Sequence, residues 1–186
     1  MNKELKIMIY TALGILVVLL ISVNLATLIS NDYITETTKS SQRIALNRLR
    51  RPHLNRSSEL GKYPDLKKKR ITLLAIRKSN RLYVINNHRV LYIVNAEINL
   101  KPTCTVINAA RGEHTVHVKD NTQSMGVNWL NFGKLGYIES PVSVNTHRVH
   151  GNWIRNSHHL PNTIEVSKTD AKWLQQLPKG TKLIVR

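Results

Sequence analysis

Few side chains in this 186-residue sequence could attack a carbonyl, ligate a metal or grip a ligand. Cys104 is the lone cysteine. No disulfide can form within the chain, so Cys104 is either a nucleophile or a small apolar side chain. It lies in the alternating segment TCTVI, with Lys101 and Arg111 as the nearest cations in sequence. Those neighbours do not make an activating arrangement, and the strand pattern predicts a buried, inert thiol. Six of the eight histidines come in pairs: His114 with His117, His147 with His150, and His158 with His159. Residues three apart on a strand point to opposite faces, so His114 and His117 are poor ligands for one ion. The expectation is a set of surface histidines that add to a basic field, with no metal and no cofactor. Thr163 raises a different question, because a Thr hydroxyl attacks only beside a general base. Trp153, in the His-rich loop, is the better candidate for the wall of a sugar or peptide groove. Trp173 reads as packing.

The elements that must position these residues are mostly strands. ITLLAI and RLYVI (from Ile71 and Arg81) read as strands. Asn86, Asn87 and His88 make a turn into RVLYIVNAEI, the second arm of a hairpin. TCTVI, HTVHV, GVNWL and YIESPVSV supply further short strands. The chain closes with a strand–helix–strand unit. Ile164 and Val166 alternate with polar neighbours; Ser167 and Asp170 form a capping box; Ala171, Leu174 and Leu177 share one stripe. Pro178 and Gly180 then stop the helix, and Leu183 and Val185 begin the last strand.

Upstream, residues 7–29 carry no charge and are long enough to cross a bilayer as a retained anchor. Lys3 and Lys6 before the span favour a cytoplasmic N-terminus, whereas Lys39, Arg43 and Arg48 after it pull the other way. The organisation predicted is a short cytoplasmic segment (1–6), a transmembrane anchor (7–29), a basic stalk (30–70, with a short helix at 41–51) and one β-rich domain (71–186). The chain holds 28 Lys+Arg against 11 Asp+Glu, a net charge of +17. Such a field implies an anionic partner, membrane lipid or wall polymer. Nucleic acid is disfavoured, because aromatics do not interleave with the cations.

Taken together, the hairpin RLYVINNHRVLYIVNAEIN, KPTCTVI, ARGEH and the tail VSKTDAKWLQQLPKGTKLIVR resemble the L,D-transpeptidase (YkuD-type) catalytic domain, which cross-links peptidoglycan. The resemblance implies a mainly β fold, a sandwich or barrel with one C-terminal capped helix, here preceded by the transmembrane helix. It also implies peptidoglycan or another anionic envelope polymer as partner, and a domain on the extracytoplasmic side of a single-pass membrane protein. The match fails at the chemistry. The family signature Ser-His-Gly-Cys-Ile-Arg-Leu, counted back from Ser167, puts Thr163 at the Cys, Asn162 at the Gly, Pro161 at the His and Glu165 at the Arg. Ser157 and His158 keep the Ser-His pair, displaced upstream; the family's strand His falls near Ser140. No catalytic residue is therefore assigned, and Trp153, Ser157, His158 and Asn162 stand as candidates for a substrate groove. The reading is a pseudoenzyme of the cell envelope. An active enzyme with an unconventional nucleophile, and a scaffold whose basic stalk docks on anionic lipid or wall polymer, are the alternatives.

Overall fold

A computed structural model of the protein describes residues 10–17, 39–60, 62–67, 70–87, 89–156 and 160–186. The chain divides into two units, residues 1–35 and 36–186. In the first, residues 10–17 are helical. Among the described residues no helix is long and apolar enough to cross a membrane. Most of the predicted span 7–29 lies outside the described residues.

Among the described residues of the second unit, nine strands run in chain order: β1 Ile71–Ile76, β2 Arg81–Asn86, β3 Arg89–Asn99, β4 Thr103–Lys119, β5 Thr122–Phe132, β6 Gly136–Val144, β7 His147–Arg148, β8 Thr163–Val166 and β9 Lys182–Val185. Three helices accompany them, α1 Lys39–Arg50, α2 Trp153–Asn156 and α3 Lys168–Leu174. The strand order is β5-β4-β9-β1-β2-β3-β8-β6-β7, and β5 also pairs with β6. That extra pairing closes eight strands into a ring, with β7 hung on β6. Closure removes the free edges that an open sheet would expose. Two long strands make the corners. β3 pairs with β2 through its first part and with β8 through Ala96–Asn99. β4 pairs with β9 through Thr103–Val106 and with β5 beyond.

The period-two pattern fills the ring. Leu73, Ala75, Leu82, Val84, Val94, Ile138, Ile164, Val166 and Leu183 point inward and are fully or almost fully buried. TCTVI and HTVHV, expected as separate strands, join into β4, with a break in register between Ile107 and Arg111. The helix after Ser167 ends at Leu174, earlier than Pro178 would require. Arg111 closes it, donating to the carbonyls of Gln175 and Leu177.

The largest departure from expectation concerns residues 39–67. They do not form an extended stalk. Ala45 and Leu66 are fully buried, and Asn95 donates from its amide to the Ala45 carbonyl at 3.0 Å. Arg48 binds the carbonyls of Ser57 and Glu59 at 2.6 and 2.8 Å, which folds α1 and the following loop onto each other. A charge count alone hid this, because Ser41, Ala45, Ser58, Glu59 and Leu66 bury the inner side of the segment while its cations other than Arg48 are exposed.

Candidate functional site

β8 runs between β3 and β6, so its alternation sorts the residues around Thr163. Ile164 lies between Ile98 and Ile138 and points into the core. Thr163 and Glu165 point to the other face. There Thr163 is flanked by Asn99 and Tyr137, and Glu165 by Glu97 and Glu139. Three carboxylates thus stand abreast on three neighbouring strands, spaced by the ~4.8 Å strand separation. Glu139 and Glu165 are buried. Thr163 is buried as well, and its Oγ1 donates to the Leu160 carbonyl at 2.6 Å.

The row continues to a histidine on a fourth strand. Glu139 reaches across β5 to His117 on β4, with carboxylate oxygens 2.8 and 3.0 Å from Nε2. The crossing point is Gly126, where a Cβ would lie 2.5 Å from Glu139 Oε2. The absence of a side chain there is what lets the carboxylate pass. The Tyr137 ring meets His117 edge-on at 5.1 Å and Trp129 edge-on at 5.7 Å. The hydrogen bond to Glu139 raises the His117 pKa above its ordinary value, partial burial opposes it, and the charge of Glu165 adds to the rise. The sequence gives no sign of this pair, since residues 117 and 139 meet only through the β4–β5–β6 register.

This arrangement has a clear chemical consequence. A thiolate, alkoxide or oxyanion at position 163 would form beside a row of carboxylates, and like charges disfavour it. His117, the half-buried base on this face, is already engaged by Glu139.

The other predicted site residues are dispersed. Trp153 is not a groove wall: it is 1% exposed, because α2 turns it inward. Its Nε1 and the Asn95 Oδ1 have no hydrogen-bond partner among the described residues, and both side chains line a void of about 10 Å³, the size of one water. Asn162 is exposed, with φ 62°, and its backbone joins Asn99 and Tyr137. It borders an open cleft of about 320 Å³ with Leu100, Phe132 and Leu135. Pro161 is exposed beside it. Ser140 is fully buried, and its hydroxyl has no partner among the described residues. Ser157 and His158 lie outside the described residues. Cys104 is exposed, not buried as the strand pattern predicted. It pairs with Ile184, while the next pair, Thr105 with Leu183, brings the inward-facing residue of β9; Cys104 therefore takes the outer face.

The predicted cap is present and carries a second task. Ser167 Oγ accepts from the Asp170 amide at 3.2 Å and donates to its carboxylate at 2.7 Å. The carboxylate does not reach back to the cap backbone. It turns to the 39–67 segment, accepting from the Ser58 amide and hydroxyl at 3.1 and 2.6 Å and from the Tyr63 hydroxyl at 2.8 Å. Tyr63 stacks on Trp173 at 4.6 Å, and Tyr92 leans on both. Burial raises the Asp170 pKa, against the lowering pull of its donors. Burial and the Asp170 charge push the Tyr63 and Tyr92 phenols up in turn. The segment contributes a buried acid of its own, Glu59, accepting from the Ser41 hydroxyl and the Ile93 amide, both at 2.6 Å.

Comparison with known proteins gives no matching family model and no matching curated protein. Among solved structures it gives several matches. An L,D-transpeptidase from Stackebrandtia nassauensis matches with TM-score 0.49 and 15% identity, over 81% of this chain and 67% of that one. An L,D-transpeptidase from Mycobacterium smegmatis matches with TM-score 0.48 and 14% identity, over 63% and 59%. A fused Zn-dependent amidase/peptidase and peptidoglycan-binding protein from Clostridium acetobutylicum matches with TM-score 0.49 and 13% identity, over 81% and 63%. The chain is similar in structure to L,D-transpeptidases. It spans about three fifths to two thirds of the length of these three chains.

Proposed function

We propose that this is a membrane-anchored cell-envelope protein whose domain engages peptidoglycan without cross-linking it. The observation that carries the absence of catalysis is Thr163. It stands where the resemblance puts the nucleophilic Cys, with its hydroxyl committed to the Leu160 carbonyl and the Glu97–Glu165–Glu139 row beside it. Peptidoglycan as partner is supported by the sequence likeness of the closing unit, in which Ser167, Asp170 and Trp173 all hold structural positions. The net charge of +17 suits an anionic envelope. Anchoring is supported by the uncharged stretch 7–29 and by the helical residues 10–17, whose apolar side chains, Leu13 and Ile15 among them, are exposed.

Full-length protein incubated with tetrapeptide-containing muropeptides is expected to give no cross-linked product. It is also expected to co-sediment with purified peptidoglycan. A cross-linked product would overturn the non-catalytic reading, and failure to sediment would remove peptidoglycan as the partner.

A further inference from the structure

Away from the Thr163 face, three stretches of chain distant in sequence meet around an open cleft of about 580 Å³. The loop at 53–55 forms one wall, the stretch from Arg148 to Gly151 another, and Lys168 closes the third side. Each wall is fixed by backbone hydrogen bonds. The Lys168 amide donates to the Leu54 carbonyl at 2.7 Å, the Val149 amide to the Val142 carbonyl at 2.9 Å, and Ser143 pairs with Arg148. The Asn55 amide also donates to His53 Nδ1 at 3.3 Å.

The lining carries Arg148, Lys168, His53 and His150 and no acid. Among the described residues neither the Arg148 guanidinium nor the Lys168 ammonium forms an ion pair. Two uncompensated cations lining one concave surface concentrate positive potential there, and the hydrogen-bonded backbone fixes where each side chain starts. A guanidinium fork beside an ammonium suits the tetrahedral oxygens of a phosphate, the fork bidentate and the ammonium as a point charge. The volume exceeds that of one phosphate, leaving room for the linking unit of a polymer.

We propose that this cleft binds a phosphodiester group, with Arg148 and Lys168 as its principal contacts and His53 and His150 at its rim. The site is separate from the Thr163 face and does not rest on the transpeptidase-like reading. The same headgroup chemistry occurs in phosphodiester wall polymers and in anionic phospholipids, and a polymer is favoured because the lining mixes His53, Asn55, Arg148, His150 and Lys168 with only three aliphatic side chains, Leu54, Val142 and Val149.

The test measures binding of the full-length protein to inorganic phosphate and to soluble poly(glycerol phosphate). In separate arms it measures binding to phosphatidylcholine vesicles with and without phosphatidylglycerol. The double variant Arg148→Gln/Lys168→Gln is expected to bind the polymer roughly tenfold or more weakly, as loss of two charge-assisted contacts implies. Removing the same charge elsewhere, in Lys119→Gln/Lys179→Gln, is expected to change binding less than about twofold. Equal loss in the two double variants would mean that diffuse net charge does the binding, and would overturn the site. A deficit confined to the phosphatidylglycerol vesicles would replace the polymer with a lipid headgroup and overturn the choice of ligand. Unchanged binding by the cleft variant overturns the proposal outright, whatever the protein does with peptidoglycan. Matching urea midpoints for both variants keep a folding defect out of the comparison.

Discussion

At the scale of single residues, the decisive feature is a hydroxyl that has a structural partner and acidic neighbours. Thr163→Val should cost about 1 kcal/mol, because the buried Leu160 carbonyl loses its donor. Urea unfolding measures this, and peptidoglycan sedimentation should stay the same. A thiol placed at this position should not produce chemistry. In Thr163→Cys the thiolate would form beside Glu165 and its two neighbours, which raise a thiol pKa. Cross-linked muropeptide from that variant would overturn the reading that the carboxylate row disfavours a nucleophile there. His117 supplies the pH dependence. Its pKa is raised in the folded protein, so the stability it contributes is fully present below the ordinary histidine value and is lost as pH rises through the folded one. Thermal melts of the wild type against Glu139→Gln should therefore differ most at mildly acidic pH and converge above the folded value. A constant difference across that range would mean that the pair is not coupled to protonation.

At the scale of elements, two devices hold the domain together, and both depend on contacts distant in sequence. One is the gap at Gly126 through which Glu139 crosses β5. Gly126→Ala places a methyl 2.5 Å from the carboxylate, and overpacking of this kind costs about 1–3 kcal/mol. The same variant should lose the His117 pH dependence, a readout that a simple packing defect elsewhere would leave in place. The other device is Asp170, which ties the Ser58–Tyr63 stretch to the start of α3. Asp170→Ala strands the buried donors of Ser58 and Tyr63 and should destabilise the domain by roughly 3–4 kcal/mol. Proteolysis should then cut first between α1 and β1. Uniform unfolding with no preferred site would place the carboxylate's role within α3 alone.

For the whole molecule, the outward position of Cys104 provides a reporter. If the domain lies outside the membrane, a membrane-impermeant maleimide should label Cys104 on intact cells. Labelling only after lysis would reverse the proposed topology. Legibility also changes with scale. Strands β1, β2, β3, β6, β8 and β9, the cap at Ser167 and the helix at 39–50 follow from alternation and capping chemistry, which are local. Closure of the ring through β5 and β6 is not local, nor is the packing of 39–67, because both depend on which surfaces meet. Composition pointed to a stalk, since residues 39–70 hold eleven cations and two acids. One of those acids, Glu59, is buried among hydrogen-bond donors.

By itself the sequence determined that the chain is mainly β and strongly basic; that Thr163 stands at a Cys position is implied only by the resemblance of its closing unit. Fold class and charge are written in residue type and short-range spacing. Only the tertiary structure decided that Thr163 is locked to Leu160, that Glu97, Glu165 and Glu139 stand abreast, that His117 is engaged across Gly126, and that Arg148 and Lys168 share a cleft. Each of these joins strands or loops through register and closure, and a one-residue slip in register would turn the same side chains to the opposite face.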